Sequence, residues 1–241
     1  MTTLGIIGSG TIGAAVARLA VAADIPVVIS NSRGPQSLTG LIDELGPLAT
    51  AGTVEQAAGA GGLVLLSVPL AAHTAVPAAP LVGKTVLDTS NYYPSRDGRI
   101  AELDDDKLTT SELVHRHFDG ARLVKAFNNI LAHHIPQLAR PAENPGAADR
   151  TALPIAGDDA GAKSDAATLI NRLGFDTIDT GSLAQSWRFE PDATAYTRLY
   201  LADSSTPDEQ IFTAPGRPVP AAELRTALQA AERVRVADRV I

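Results

Sequence analysis

Three glycines near the start of the chain carry its plainest chemical signal. Gly8-Ser9-Gly10-Thr11-Ile12-Gly13 has the spacing G-x-G-x-x-G. A short apolar run, Leu4–Ile7, precedes it, and Ile12, Val16, Leu19, Ala20 and Ala23 follow on one helical face. In such a strand–turn–helix unit Gly8 permits the tight turn, Gly10 admits a pyrophosphate to the backbone, and Gly13 lets the helix lie close to the strand. The helix opening then offers N–H groups and the positive end of its dipole to an anion.

The end of the second strand refines the ligand. It reads Ser30-Asn31-Ser32-Arg33, with no acid before Asp43. An acid here would hydrogen-bond a ribose 2′-hydroxyl and repel a 2′-phosphate. Asn31, Ser32 and Arg33 instead favour NADP(H) over NAD(H), through charge-assisted bonds of roughly 1.5–3 kcal/mol each. Residues 32–36 also open the next helix, so their N–H groups are expected to point the same way. Ligands of open α/β sheets sit beyond the carboxyl ends of the strands. That makes Ser67, Val68 and Pro69, residues 88–93, and Asn128 with Asn129 the remaining pocket candidates. Asn91, Asn128 and Asn129 either bond a nicotinamide carboxamide or serve as loop structure.

Catalytic equipment beyond this is sparse. There is no G-x-S-x-G and no H-E-x-x-H, and neither His115/His117 nor His133/His134 has i, i+4 ligand spacing. His73 either reaches the pocket or is structural. Asp104-Asp105-Asp106 reads as a solvated turn, and Lys125 as a pocket-rim or edge charge. Reduction of a ketone or imine calls for a proton donor at the reacting centre. Hydride exchange between two redox cofactors needs mainly positioning, and this chain fits that case better.

The elements that must position these residues alternate. Strands are expected at 4–7, 26–30, 63–68, 85–88, 122–127, 152–156 and 175–179. Helices are expected at 12–23, 35–46, 109–118, 160–173, 184–201 and 221–240, with a proline-broken helical stretch at 71–81. Thr53 with Gln56 and Thr109 with Glu112 have capping-box spacing. Strands alternating with helices imply right-handed βαβ units. The expected fold is therefore α/β: a Rossmann-type doubly wound parallel sheet with a small C-terminal α/β domain and a C-terminal helical extension. The boundary falls in the loop RPAENPGAADR, giving residues 1–145 and 146–241. Leu224, Leu228 and Ala231 mark a narrow apolar face that either packs on the body or makes a dimer contact.

Composition excludes several classes. The 241 residues are 45% hydrophobic and 20% charged, ordinary for a globular protein. A net charge of −7 argues against nucleic-acid and anionic-membrane partners. With no cysteine there is no thiol nucleophile, disulfide scaffold or Fe–S ligand. The most apolar run, residues 63–70, is far short of the roughly 20 residues of a membrane span. No basic leader precedes the first apolar stretch, so a cytoplasmic protein is expected.

The segments GIIGSGTIG, NSRGP, LLSVPLAAH, LDTSNYYP, LVKAFNNI and LPIAGDDAGAKSDAATLINRLGFDTIDTGSL, together spanning roughly residues 3–200, resemble the F420-dependent NADP oxidoreductases. More distantly they resemble the N-terminal reductase domain of STEAP metalloreductases. The first resemblance implies NADP and coenzyme F420 as redox partners, direct hydride transfer with the deazaflavin ring stacked on the nicotinamide, and a homodimer. It further implies that Ser9, Thr11 and Ile12 contact the pyrophosphate, that Ser32 and Arg33 hold the 2′-phosphate, and that Val68, Asn91 and Ala132 line the nicotinamide end. The STEAP likeness implies instead an NADPH-dependent flavin or metal-chelate reductase; a third alternative is a non-catalytic NADP-binding redox sensor. Ser37 stands where some family members have lysine, which implies a weaker hold on the 2′-phosphate. The stretch after about residue 203 lies beyond the family pattern and either covers the F420 cleft or extends a dimer. Trp187 and Phe189 either border that cleft or pack in the core.

Overall fold

The computed structural model describes residues 3–140, 147 and 149–239. Eight strands form one sheet in the order β3-β2-β1-β4-β5-β6-β7-β8. They are β1 (Leu4–Ile7), β2 (Val27–Ser30), β3 (Ala49–Ala51), β4 (Leu63–Leu66), β5 (Thr85–Asp88), β6 (Arg122–Lys125), β7 (Ala152–Gly157) and β8 (Asp176–Asp179). The first six pair in parallel. β7 runs antiparallel to β6 and parallel to β8, so one sheet carries both halves of the chain. This is the Rossmann-type α/β fold expected from the alternation. The 145/146 boundary lies outside the described residues, as does most of the loop assigned to it. Arg150, at the end of that loop, is not exposed as expected: it is buried, with its Nε 2.7 Å from Asp176 Oδ1.

The strands sort their side chains between two layers. Leu4 and Ile6 of β1, Leu65 of β4, Leu87 of β5 and Val124 of β6 enter one core with α1 (Thr11–Ala22), α2 (Thr39–Leu45) and α8 (Ala160–Arg172). Their chain neighbours Ile7, Val64, Leu66, Val86 and Leu123 enter the other, with α3 (Val54–Gly59), α5 (Ala101–Asp104) and α6 (Thr110–His117). A pleat of period two with apolar residues at every position needs cover on both faces, which is why these strands read as continuous apolar runs. Three further helices complete the set among the described residues: α4 (Pro94–Asp97), α7 (His134–Leu138) and α9 (Ala221–Gln229). Both predicted capping boxes close, at Thr53/Gln56 on α3 and Thr109/Glu112 on α6. None of the described helices is long and apolar enough to cross a membrane.

Four local expectations are corrected. Residues 35–46 begin as a 3-10 turn, Pro35–Leu38, before α2. Residues 71–81 form two 3-10 turns, Leu70–Ala75 and Ala79–Leu81. The helix expected at 184–201 is replaced by the 3-10 segments Leu183–Phe189 and Thr197–Tyr200. Pro191 explains this: it lacks an N–H and drives Glu190 out of helical geometry, to φ −82 and ψ 171. The terminal helix stops at Gln229 rather than 240. Beyond it the chain folds back on the body of the protein, where Asp106 accepts from the Val236 N–H at 3.2 Å and Arg239 meets Glu190. Leu224, Leu228 and Ala231 are buried against the body of the protein.

Candidate functional site

Strand order turns round between β1 and β4, the point where an open α/β sheet leaves a crevice at its carboxyl edge. A cleft of about 360 Å³ lies there. Gly8, Ser9 and Gly10 form its floor, Asn31, Ser32 and Arg33 one rim, and Ser67, Val68 and Pro69 the other. The three sequence segments are thus brought to one place.

The glycines are used differently. Gly8 has φ +108, and a Cβ on it would stand 2.0 Å from the Ser67 carbonyl oxygen. A Cβ on Gly13 would stand 2.0 Å from the Gly8 carbonyl oxygen. Both are demanded by the chain's own close approaches. Gly10 is different: a Cβ there meets nothing within 4 Å, and its backbone is ordinary, at φ −68. The space beside Gly10, at the start of α1, is open to a ligand, and a pyrophosphate fits the bare backbone there. Thr11 is exposed on the first turn of α1, while Ile12 packs against the core.

Asn31 couples the two loops. Its Nδ2 donates to Ser9 Oγ at 3.1 Å and to Ser37 Oγ at 2.9 Å, and its Oδ1 accepts the Arg33 N–H at 2.9 Å. Asn31 is therefore a positioning group for both loops. The expected fan of helix N–H groups at 32–36 is not formed: the Arg33 N–H is taken by Asn31, Pro35 has none, and a 3-10 turn follows. The Arg33 guanidinium has no hydrogen bond or ion pair among the described residues, and both Ser32 and Arg33 are exposed. An unpaired guanidinium at this rim fits a phosphate dianion.

Asn91, Asn128 and Ala132 line neither this cleft nor the second one described below. Asn91 and Asn128 are buried at 8% and 3% exposure and bond each other. Asn128 Nδ2 donates to Asn91 Oδ1 at 3.0 Å and to the Phe189 carbonyl at 2.8 Å. Asn91 Nδ2 donates to the Asn128 carbonyl at 2.7 Å. Together they latch the ends of β5 and β6 to the 183–200 segment. Ala132 sits just before α7, its carbonyl accepting the Ile135 N–H. Asn129 also turns inward, to the Ala195 carbonyl and Tyr200 hydroxyl. Phe189 is a core residue. His73 bonds the Leu70 carbonyl and packs edge-on against His117.

A second cavity of about 690 Å³ opens further along the same sheet edge, past β5 and β6. Tyr93, Arg96, Leu131 and Tyr196 line it, and the stretch beyond 203 supplies another wall through Asp208, Ile211 and Phe212. The late segment is held by a bridge between Leu201 and Gly216, and by the Ala214 carbonyl, 2.9 Å from His133 Nε2 and from His134 Nε2.

Sequence reasoning missed a buried ionic cluster behind this cavity. Lys125 is fully buried, not at a rim or edge. It donates to the Ser90 carbonyl at 2.8 Å and Ser111 Oγ at 3.0 Å, and lies 3.5 Å from Glu190 Oε1. Arg239 reaches Glu190 Oε2 at 3.5 Å. Burial pushes the Glu190 carboxyl up, but Lys125, Arg239 and the Thr110 N–H outweigh it and leave it below the usual range. The aspartate run is only partly solvated: Asp104 accepts from the Tyr92 hydroxyl, and Asp106 holds the returning tail. No local signal announces such pairs, whose members stand 65 and 49 residues apart.

Fold and site define a Rossmann-type α/β protein with an open cleft where the strand order turns round. Residues 3–92 match the family described as NADP oxidoreductase, coenzyme F420-dependent. A structure of the hypothetical protein SMa0349 from Sinorhizobium meliloti is 32% identical, with a TM-score of 0.65, and the match covers 80% of this chain and 92% of that one. A protein of Arthrobacter sp. FB24 assigned as an F420-dependent NADP-reductase is 25% identical, with a TM-score of 0.64, over 77% of this chain and 87% of that one. Over 51 residues, 21% of this chain, the sequence is 41% identical to the YjhV protein of Escherichia coli (strain K12), spanning 37% of that protein. The reductive aminase of Aspergillus terreus, solved with NADPH, shares the fold at 18% identity and a TM-score of 0.53, over 76% of this chain and 56% of that one. The chain belongs to one family with the Sinorhizobium meliloti protein, and its residues 3–92 carry the pattern of the F420-dependent NADP oxidoreductases.

Proposed function

We propose that this protein transfers hydride directly between NADP(H) and coenzyme F420. The observation that carries the reading is the cleft at the β1/β4 turn-round, with its open backbone at Gly10 and its unpaired guanidinium at Arg33. NADPH, when bound, supplies a hydride, and oxidised F420 takes it up together with one proton from water. Residues 1–145 hold the dinucleotide: Gly8, Ser9 and Gly10 with Thr11 and Ile12 at the pyrophosphate, Ser32 and Arg33 at the 2′-phosphate, and Val68 with Pro69 toward the nicotinamide. Asn91, Asn128 and Ala132 act from behind, by fixing the loops at the ends of β5 and β6. Strand order continues from β4 to β5 and β6, so the second cavity stands on the nicotinamide side of the dinucleotide cleft. Residues 146–241 and the stretch beyond 203 help to wall that cavity, which suits an acceptor ring.

The test is direct. Mixing the protein with NADPH and purified F420 should remove the absorbance of the oxidised deazaflavin. Calorimetric binding of NADPH with no change in F420 would refute the reading. FMN and FAD run in parallel separate it from a flavin reductase. The family resemblance carries with it a homodimer, and the sequence reading adds a cytoplasmic location; sedimentation and fractionation test those two parts.

A further inference from the structure

The second cavity holds a pair of phenols. Tyr93 and Tyr196 both line it, and their hydroxyls bond each other. Asn91 Nδ2 commits one N–H to the Asn128 carbonyl and has the other for the two phenols, with Tyr93 Oη at 3.3 Å and Tyr196 Oη at 3.1 Å. One N–H is thus shared between the two oxygens. One hydroxyl proton closes the bond between the two tyrosines. The other can rotate toward the cavity, where a bound molecule can accept it.

The geometry points to the Tyr93–Tyr196 pair as the hydrogen-bond donor that anchors the acceptor ring, at a ring nitrogen or carbonyl oxygen. Burial, with Tyr93 alongside, pushes Tyr196 well above the ordinary tyrosine value, so it remains an O–H donor. The cavity's two arginines are already engaged, Arg96 with Asp97 and Arg198 with Asp208. The cavity therefore recognises an uncharged planar ring by its acceptor atoms and leaves an anionic tail to solvent. Arg96 lies over the Tyr93 ring, 4.6 Å from its centroid, and fixes that phenol in place. A phenol O–H turned to the ring's heteroatom would meet the negative charge that builds there during reduction, the arrangement by which placed donors lower a barrier.

This inference rests on the proposed function, because it names how that function's acceptor is held. Its test reads affinity rather than turnover. Quenching of deazaflavin fluorescence gives the F420 affinity of the wild type, Tyr93→Phe and Tyr196→Phe, with FMN as a second ring and NADPH calorimetry as the control. Each Phe variant is expected to bind F420 about tenfold more weakly, the size of one hydrogen bond, with NADPH affinity and melting temperature unchanged. Unchanged F420 affinity in both variants overturns the inference while leaving the proposed function standing. Tyrosine-dependent binding of FMN without binding of F420 supports the inference and removes F420 from the function. Binding of neither ring by the wild type overturns both.

Discussion

Gly10 and Gly8 stand two residues apart, yet predict opposite outcomes on substitution. A methyl group on Gly10 meets no protein atom within 4 Å, and its backbone suits any residue. Gly10→Ala should therefore melt like the wild type and lose NADP affinity by tenfold or more, since the Cβ fills the place of the phosphates. Gly8→Ala imposes φ +108 on a side chain and drives it into the Ser67 carbonyl. The backbone strain alone costs on the order of 1–3 kcal/mol, so the melting temperature should fall whether or not nucleotide is present. Thermal melts with calorimetry of NADP binding decide between these. The motif itself was plain in the sequence, because its spacing sits between an apolar run and a helical face. The partner that crowds Gly8 was not: Ser67 is brought alongside by the sheet.

Elements whose cause is local were legible, and those decided by distant partners were not. β1 and β5 were read to the residue, since continuous apolar runs bounded by turns leave little choice. β3 went unnoticed, with three residues being too short for a period. The helix expected at 184–201 fails at Pro191, a signal present in the sequence and outvoted by the apolar spacing around it. The early end of α9 has no such local mark; the chain beyond it is drawn to Asp106 and Glu190. Glu190 is the keystone of that arrangement. Its ionisation is favoured in the folded protein, so it contributes stability in full above the ordinary carboxylate pKa, near 4.3, and loses it as pH falls through the lower folded value. Glu190→Gln leaves Lys125 and Arg239 buried without their counter-charge, and should cost about 3–5 kcal/mol at pH 7. Urea melts at pH 7 and below pH 4 check this: the gap between variant and wild type should narrow on acidification. A constant gap would assign Glu190 a packing role alone.

Across the whole molecule, both cavities lie on the carboxyl edge of one sheet, and their separation follows strand order. That arrangement was legible from the alternation of elements. The orientation of Asn91 and Asn128 was not, because an asparagine after a strand suits a ligand and a neighbouring loop equally well. The broad electrostatics also qualify the site. A protein of net charge −7 repels a polyanionic nucleotide at long range, so attraction is confined to the α1 opening and Arg33. Arg33→Ala should weaken NADPH by roughly 10- to 100-fold and NADH far less, consistent with one or two lost charge-assisted bonds; equal weakening would show that the residue does not distinguish the two.

The solvent-exposed setting of that guanidinium has a consequence for the surroundings. Its pull on a phosphate is shielded by dissolved ions, whose reach of action shrinks from about 8 Å at 0.15 M to 3 Å at 1 M. Discrimination between the two dinucleotides is thus partly a property of the medium. Concentrated potassium chloride should erode it in the native protein and leave it untouched in a variant that has already lost the arginine.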